Sequence, residues 1–442
     1  MPFDPVLRES LDHIPLPVMY PAWVRFLAPQ VRDLEEAVRE ALRTGDILDR
    51  VRPGMRVAIG VGSRGMARLP ELVRVVVEAV RATGAEPFIV PAMGSHGGAT
   101  AEGQREVLES LGVTEATVHA PIVSSMEVVE LDRLSPLVPV CMDRHAYEAD
   151  ATILINRIKP HTDFHGPIES GLAKMCVIGL GKQRTAEAIH AYGPNGLRDL
   201  IPQAARIVVE RGRVIGGIAT IENAYHDVAE IVGVPSEEIG GPVEQALLER
   251  ARELMPALPF DHLDVLIIDE MGKDISGTGV DTNIIGRMLT PGVPEPDRPQ
   301  INAIVLLGLT EATHGNALGY GLVDVITERC LNQIDWEVTR INALTAGIMN
   351  VWRGKLPWVA QDDAAAIRLA LRLCGRPDAQ NAQMMRIRNT LALGHVWISE
   401  SLVDAAREMP HVTVGEEPVE WAFDVAGRLK PLDIPEPGEI TR

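Results

Sequence analysis

The sequence predicts an α/β protein made of two α/β domains with mostly parallel sheets. The chain has 442 residues, which is more than one ordinary hydrophobic core accommodates. Hydrophobic residues make up 46% of it and aromatic residues only 4%, so Val, Ile, Leu and Ala must build the core. That composition is typical of buried parallel strands covered by helices. Strand-like and helix-like segments also alternate, which is the pattern of β-α-β units with right-handed crossovers.

The elements of the first domain, residues 1–257, follow from local patterns. Unbroken apolar runs predict buried strands, apolar residues at helical spacing predict amphipathic helices, and Gly84 is a candidate C-cap. The predicted strands are RVAIGV (56–61), EPFIVPAMG (86–94) and DATILINRI (150–158). The predicted helices are LPELVRVVVEAVRATG (69–84), TAEGQREVLESLG (100–112) and GLRDLIPQAARIVVERG (196–212).

A break between domains is expected near residue 258. Two prolines interrupt the helical segment RARELMPALPFDHLD (250–264), and a new strand, HLDVLIIDEMG (262–272), begins there. The second α/β domain, residues 258–400, continues through AIVLLGLT (303–310) and several helices. For the tail, about residues 400–442, packing against the first domain is one option that the periodicity leaves open.

Charge and cysteine usage exclude several classes of protein. The net charge of −19 disfavours binding to a phosphate backbone, so no nucleic-acid partner is expected. The four cysteines form no C-x-x-C pair, which argues against a zinc knuckle or a disulfide scaffold and fits a reducing, cytoplasmic location. The first residues lack the pattern of a signal peptide, and no uncharged stretch reaches the ~20 residues of a membrane helix.

A glycine-rich turn offers a first alternative, an NAD(P)-dependent oxidoreductase. Gly60–Gly65 reads G-x-G-x-x-G between a predicted strand and a predicted helix, which is the dinucleotide fingerprint. The acid that should hold the ribose is missing, because Glu86 lies at the wrong end of the next strand. The turn can instead bind another anion, with Arg64 adding charge. The second glycine-rich motif, GLGK (179–182), lacks the Ser or Thr of a phosphate loop.

Three histidines are predicted to lie in loops after strands. His161 and His165 are four residues apart, but Pro160 and Gly166 exclude a helix there, so both are expected in the loop after the strand 150–158. His96, in GSHGGAT, follows the strand 86–94 in the same way. The carboxyl ends of parallel strands meet at one sheet edge, where ligands bind. Two imidazoles facing one another there could exchange protons on either side of one carbon.

Lys174 and His190 are the other candidates. Lys174 lies in an apolar stretch, SGLAKMCVIGLG, where a charged amine is costly to bury, so the side chain either reaches solvent or is used chemically, for example in a covalent attachment. His190 follows 16 residues later in a predicted helix and is a candidate nickel, copper or zinc ligand, although a lone helical histidine is commonly structural.

Together these residues resemble the nickel-pincer nucleotide-dependent lactate racemase family, whose members racemise or epimerise 2-hydroxy acids. In that family a Gly-Thr-His loop and a Pro-His pair carry the two catalytic histidines, which here correspond to His96 and His161. A lysine after an SGG-like motif is bonded to the pincer nucleotide, and here it corresponds to Lys174. The histidine that binds the nickel lies 16 residues further on, which gives His190. Ser63 and Arg64 are candidate cofactor contacts.

Two departures from the family bear on the substrate. The second histidine lies thirteen residues before the lysine instead of ten, so His165 competes with His161 for the catalytic role. The segment KDISGTGVDTNIIGR (273–287) resembles the family's Asp-x-Asn segment, but the Gln and Lys that should follow correspond to Gly286 and Leu289. Lys273, Asn283 and Arg287 are then candidate substrate contacts, together with Arg64 and His165. A bulkier acid than lactate is expected.

The resemblance implies an isomerase that moves hydride reversibly between C2 of the acid and a nickel-pincer nucleotide, in a cleft closed between the two domains. It also implies cofactor-biosynthesis proteins as partners; an oligomer is possible. Three alternatives stay open. They are the NAD(P)-dependent oxidoreductase, a zinc-dependent hydrolase built on His161, His165 and Asp163, and a ligand-binding homologue without cofactor.

Overall fold

The computed structural model describes residues 10–432, which divide into two compact units. One unit is residues 27–255, and the other joins the described parts of residues 1–26 and 256–442. The division after Met255 falls beside the proline-marked break expected near residue 258. The helix before it ends at Leu254, and Pro256 cannot continue a helix.

Fifteen strands and fourteen α-helices are found in the described residues. The strands are β1 (Met19–Val24), β2 (Arg56–Val61), β3 (Glu86–Pro91), β4 (Val128–Ser135), β5 (Val138–Asp143), β6 (Ala151–Arg157), β7 (Val214–Glu222), β8 (Val228–Pro235), β9 (His262–Ile268), β10 (Gln300–Leu306), β11 (Val325–Thr327), β12 (Trp358–Ala360), β13 (Met384–Ile387), β14 (His395–Ser399) and β15 (Val412–Val414). The helices are α1 (Leu34–Thr44), α2 (Leu69–Ala82), α3 (Ala101–Ser110), α4 (Glu115–Val118), α5 (Arg144–Glu148), α6 (Leu172–Lys174), α7 (Lys182–His190), α8 (Gly193–Arg211), α9 (Pro242–Leu254), α10 (Thr282–Ile285), α11 (Glu328–Gln333), α12 (Trp336–Ala346), α13 (Asp363–Leu373) and α14 (Glu400–Arg407).

The unit of residues 27–255 is built on a five-stranded sheet. Its order is β3-β2-β6-β7-β8, with the first four strands parallel and β8 antiparallel to β7. Helices α1 and α2 cover one face, and their buried side chains share a core with Ile59 and Ile153. Each such side chain contributes ~1.5–3 kcal/mol when it is fully buried. The predicted strands β2, β3 and β6 and helices α2, α3 and α8 are confirmed, to within a few residues at their ends.

The other unit contains an eight-stranded mixed sheet, in the order β12-β11-β10-β9-β13-β14-β1-β15. The five strands β12, β11, β10, β9 and β13 pair in parallel with their neighbours. The pairs β13-β14, β14-β1 and β1-β15 are antiparallel. Thus the α/β class with mostly parallel sheets is confirmed. The predicted strands at 262–272 and 303–310 correspond to β9 and β10.

The chain termini differ from the expected domain limits. The start of the chain provides β1, which pairs with β14 and β15 and therefore belongs to the second unit, not to the first domain. The described part of the tail lies there too, since Arg386 donates to the Lys430 carbonyl and the Leu432 N–H donates to Asp269. Both segments are placed by long-range pairing, which local periodicity does not reveal. Every helix within residues 10–432 is too short or too polar to cross a bilayer.

Candidate functional site

Three loops meet at the carboxyl edge of the parallel sheet in residues 27–255. They follow β3, β2 and β6, which are neighbours in the sheet. The loop after β3 carries His96, the loop after β2 carries Ser63 and Arg64, and the loop after β6 carries His161. The sequence-based expectation that strands deliver these side chains to one edge therefore holds for all three loops.

His96 is oriented by Ser63 at this edge. The Ser63 hydroxyl and Nδ1 of His96 form a short hydrogen bond, which leaves Nε2 available. Loss of hydration in the crowded site, together with the charges of Arg64, Lys174 and His190, lowers the pKa of His96 to about 4. The His96 side chain itself remains accessible to solvent. His96 is thus a neutral imidazole at neutral pH.

His161 contacts Lys174 directly, with Nε2 of the imidazole 2.5 Å from Nζ of the lysine. The backbone N–H of Asp163 donates to Nδ1 of His161 at 3.1 Å, so Nδ1 is an acceptor and Nε2 carries the proton of the neutral ring. In this tautomer the N–H of Nε2 donates to Nζ once the amine has lost its proton, because only an uncharged amine has a lone pair to accept. Burial and the neighbouring Lys174 hold the pKa of His161 well below its ordinary value.

Lys174 is half-buried, beside the ring of His161 and within reach of the charges of Asp163 and Arg64. Burial lowers its pKa to about 8; the carboxylates of Asp163 and Glu169 oppose this shift, and Arg64 adds to it. The lysine ends the short helix α6 and is followed by one π-helical turn, Met175–Gly179, a feature that is frequent at functional sites. An amine in this state is nucleophilic at neutral pH.

Glu244 fixes the position of α6. Its buried carboxylate accepts hydrogen bonds from the N–H groups of Ala173 at 3.1 Å and Gly240 at 2.7 Å. Negative charge at a helix N-terminus is favourable. Gly171 is required there, because a Cβ on it would lie 2.2 Å from Oε1 of Glu244.

His190 is the last residue of helix α7 and lies close enough to Lys174 for the charge of that lysine to affect its pKa. Its Nδ1 lies 2.6 Å from the carbonyl of Ala186 and therefore carries the proton, which leaves Nε2 as the lone-pair atom. Burial lowers the pKa of His190, the carbonyl contact opposes this, and the charge of Lys174 lowers it further. A neutral imidazole with Nε2 free is the form that binds a metal ion.

The segment of the chain that carries these loops and helices matches the model of a known protein family. Residues 18–195 match the family model described as the lactate racemase N-terminal domain, and this range contains every residue placed at the sheet edge above. This part of the chain is therefore similar to the N-terminal domain of lactate racemases. No curated protein matches it.

Two solved structures are similar to the chain at low identity. One is the lactate racemase apoprotein from Thermoanaerobacterium thermosaccharolyticum, at 14% identity and a TM-score of 0.47 over 84% of this chain and 94% of that one. The other is a protein from Thermotoga maritima, at 15% identity and a TM-score of 0.45 over 64% of this chain and 72% of that one. Likenesses at this level carry no argument about function.

Lys174 and His190 fit the cofactor that lactate racemases use. A lysine amine can form the covalent link, and Nε2 of His190 offers one ligand for nickel. No group of three or more His, Cys, Asp or Glu side chains in residues 10–432 could hold a metal ion by itself.

His161 and His165, the two candidates for the second catalytic histidine, point to different partners. His165 lies 3.2 Å from the buried carboxylate of Glu169. Glu169 also accepts from the N–H of His161 at 2.6 Å and from Arg252 at 2.5 Å, so it organises the loop. His161 is therefore the histidine that faces the amine.

The candidate substrate residues Lys273, Asn283 and Arg287 lie in the other unit. Lys273 Nζ donates to the Gly277 carbonyl at 2.6 Å. Arg287 forms an ion pair with Asp324 at 2.7 Å and also donates to a backbone carbonyl, which anchors its guanidinium inside its own unit. Their roles toward a substrate stay predictions.

The glycine-rich turn Gly60–Gly65 does not open a helix. Helix α2 begins only at Leu69, after Arg68 in a left-handed conformation, so the helix N-terminus is not formed by the glycines as a dinucleotide site requires. Gly62 instead makes room for Met175, whose Cε would lie 2.9 Å from an added Cβ. The GLGK lysine, Lys182, points into the protein core and not toward a phosphate site.

Sequence reasoning did not find the supporting carboxylates Glu169 and Glu244. Glu169 lies four residues after His165 in a loop that already holds three titratable side chains, and that spacing was the available signal. Glu244 gave no signal, because it reaches α6 from a helix 71 residues further along the chain.

Proposed function

We propose that this protein is a racemase or epimerase of a 2-hydroxy acid that uses a nickel-pincer nucleotide bonded to Lys174. The observation that supports this most is the convergence of His96, His161, Lys174 and His190 at one sheet edge, where the charges of Lys174 and His190 lower the pKa of both His96 and His161. Four roles of the lactate racemase family thus have a side chain of the required type in one place.

The two histidines exchange the hydroxyl proton of the substrate. Each imidazole has a lowered pKa and is neutral at pH 7, so each can accept a proton. His96 is prepared for this when Nδ1 donates to Ser63, since Nε2 is then the base. One histidine accepts the hydroxyl proton from one enantiomer, and the histidine on the opposite side returns a proton. The configuration at C2 is thereby inverted.

Acylation of Lys174 changes the hydrogen bonding of His161. An amide nitrogen has no basic lone pair, so it no longer accepts the hydrogen bond from Nε2 of His161. The Asp163 carboxylate lies 3.8 Å from Nδ1 of His161 and can stabilise the tautomer protonated there, which makes Nε2 the base. The cofactor, when bound, supplies a reversible acceptor for the hydride at C2 of the substrate.

Arg64 is the proposed ligand of the substrate carboxylate. It lies in the loop between the two histidine loops, and its charge lowers the pKa of both His96 and Lys174. A guanidinium binds a carboxylate through two parallel hydrogen bonds, which fixes the orientation of C2 between the bases.

The test is to produce the protein together with cofactor-biosynthesis enzymes and to incubate it with single enantiomers of a panel of 2-hydroxy acids. Loss of optical purity, a covalent adduct on Lys174 by peptide mass analysis and nickel bound in proportion are expected. His96→Gln and His161→Gln should keep the adduct and lose at least ~100-fold in rate. Lys355→Met is the matched control, because Lys355 is an exposed lysine of the other unit. Unmodified Lys174 with no nickel after co-production would refute the proposal.

A further inference from the structure

A buried lysine outside the proposed catalytic set connects the His96 loop to the helical segment of Lys174. Lys182 is 1% exposed, and its Nζ contacts the Pro91 carbonyl at 2.5 Å, Oε1 of Gln104 at 2.9 Å and Oδ2 of Asp143 at 3.2 Å. These acceptors come from the end of β3, from α3 and from the end of β5. One ammonium thus joins three elements.

The backbone of Lys182 is held in an uncommon conformation to make these contacts. Its φ is +51°, in the left-handed region that side chains other than glycine rarely adopt. A buried ammonium is also costly unless it is paired and hydrogen-bonded. Such strain persists only where surrounding structure determines it, and it is concentrated at functional sites.

Gln104 extends the network to His96. Its side-chain amide is fully buried, accepts from Lys182, and donates through Nε2 to the carbonyl of Gly94 at 2.8 Å and to that of His96 at 3.3 Å. The N–H of Gly94 in turn donates to the Gly179 carbonyl in the π-helical turn. The loop before His96 is therefore fastened to the segment 172–190 at two points.

We propose that Lys182, through Gln104, is a positioning residue that holds His96 in register with Lys174 and His190. The segment 172–190 carries Lys174 and His190, and Lys182 lies eight residues from each. Fixing the His96 loop to Lys182 therefore fixes one catalytic base relative to the cofactor link and the metal ligand. This inference rests on the proposed function for its purpose, but its geometry stands without it.

The variants separate the two halves of the network. Gln104→Met removes the donors to Gly94 and His96 and keeps the ion pair of Lys182 with Asp143. Gln104→Glu keeps an acceptor for Lys182 but has no N–H for the loop carbonyls. Lys182→Met leaves Asp143 buried without its partner and serves only if it folds. Thr185→Val is the matched control. Thr185 is equally buried on the same helix and bonds to β5, without contact to the His96 loop.

The measurement uses the cofactor-free protein, so it does not depend on catalysis. Amide hydrogen exchange of residues 94–99 should become at least ~10-fold faster in Gln104→Met and Gln104→Glu. The ¹⁵N signals of the His96 ring, assigned with His96→Gln, should move toward those of a solvated imidazole. Thr185→Val should change neither. Unchanged exchange and unchanged His96 signals in a folded Gln104→Met protein would overturn the inference.

A second arm uses the cofactor-loaded protein. Gln104→Met should lower kcat at least ~10-fold with little change in KM, because a displaced base affects the transition state more than substrate binding. An equal loss in Thr185→Val would overturn the inference. If no racemase activity exists, the proposed function fails while the exchange experiment still decides the role of Lys182.

Discussion

Lys174 of the cofactor-free protein should react as an amine that loses its proton near pH 8. Burial lowers its pKa from 10.5 to about 8, a change of ~3 kcal/mol in the cost of the charged form. At pH 7 about one tenth of the amine is then neutral, against ~0.03% for an ordinary lysine. The reaction of Lys174 with an acylating reagent should therefore be ~100-fold faster than that of an exposed lysine at this pH, before steric hindrance.

Competitive labelling over pH 6 to 11, followed by peptide mass analysis, measures this directly. The chain has six lysines, and the exposed Lys355 and Lys430 serve as internal references. Asp163→Asn should move the midpoint of Lys174 to a lower pH, because the Asp163 carboxylate is the largest influence that raises its pKa. A midpoint for Lys174 equal to those of the reference lysines would refute the reasoning.

The same pKa predicts that Lys174→Met stabilises the cofactor-free unit at neutral pH. The unfolded chain keeps its proton up to about pH 10.5, whereas the folded chain releases it near pH 8, so stability due to Lys174 rises with pH across that window. Below pH 8 its full cost, up to ~3 kcal/mol, opposes folding, less the value of the lost His161 contact. Global hydrogen exchange of β6 is the suitable probe, because all six tryptophans lie outside residues 27–255. An advantage of the variant that stays constant from pH 7 to 10.5 would contradict this.

Three further predictions concern the groups around the site. Glu169→Gln should destabilise the unit by ~2–4 kcal/mol, because four donors around Glu169 lose their charged acceptor. Urea unfolding followed by hydrogen exchange of residues 160–166 measures this. Ser63→Ala should lower kcat of the loaded protein ~10-fold or more by releasing Nδ1 of His96, with adduct formation unchanged by mass. Gly171→Ala should displace Glu244, cost ~1–3 kcal/mol, and slow acylation of the neighbouring amine in the labelling assay.

The fold could be predicted where apolar runs and their periodicity carried the information. Strands β2 and β6 are fully or nearly fully buried and read as unbroken apolar runs, and α2 repeats Leu and Val at helical spacing up to Gly84. The pairing of β1 with β14 could not be predicted in this way. Its six residues, MYPAWV, have no clear period, and their partners lie more than 370 residues away. Pairing at that distance is decided by the tertiary fold, not by local propensity.

The residues of the site also differ in how far they could be predicted from local sequence. Residues that carry chemistry are conspicuous in sequence because their local surroundings conflict with them: Lys174 is a cation in an apolar run, and His96 lies among glycines after a strand. Residues that support them are not conspicuous in sequence, because their charges and hydrogen-bonding groups are paired by residues distant along the chain. Lys182 is also a cation in that run, and the apolar surroundings in the sequence do not by themselves distinguish the two lysines. Only the structure separates them. Lys182 has an anionic partner and two oxygen acceptors, whereas Lys174 contacts the imidazole of His161 and loses its proton near pH 8. The partner of a buried amine, and not its burial, therefore decides whether it holds the fold together or is available to react.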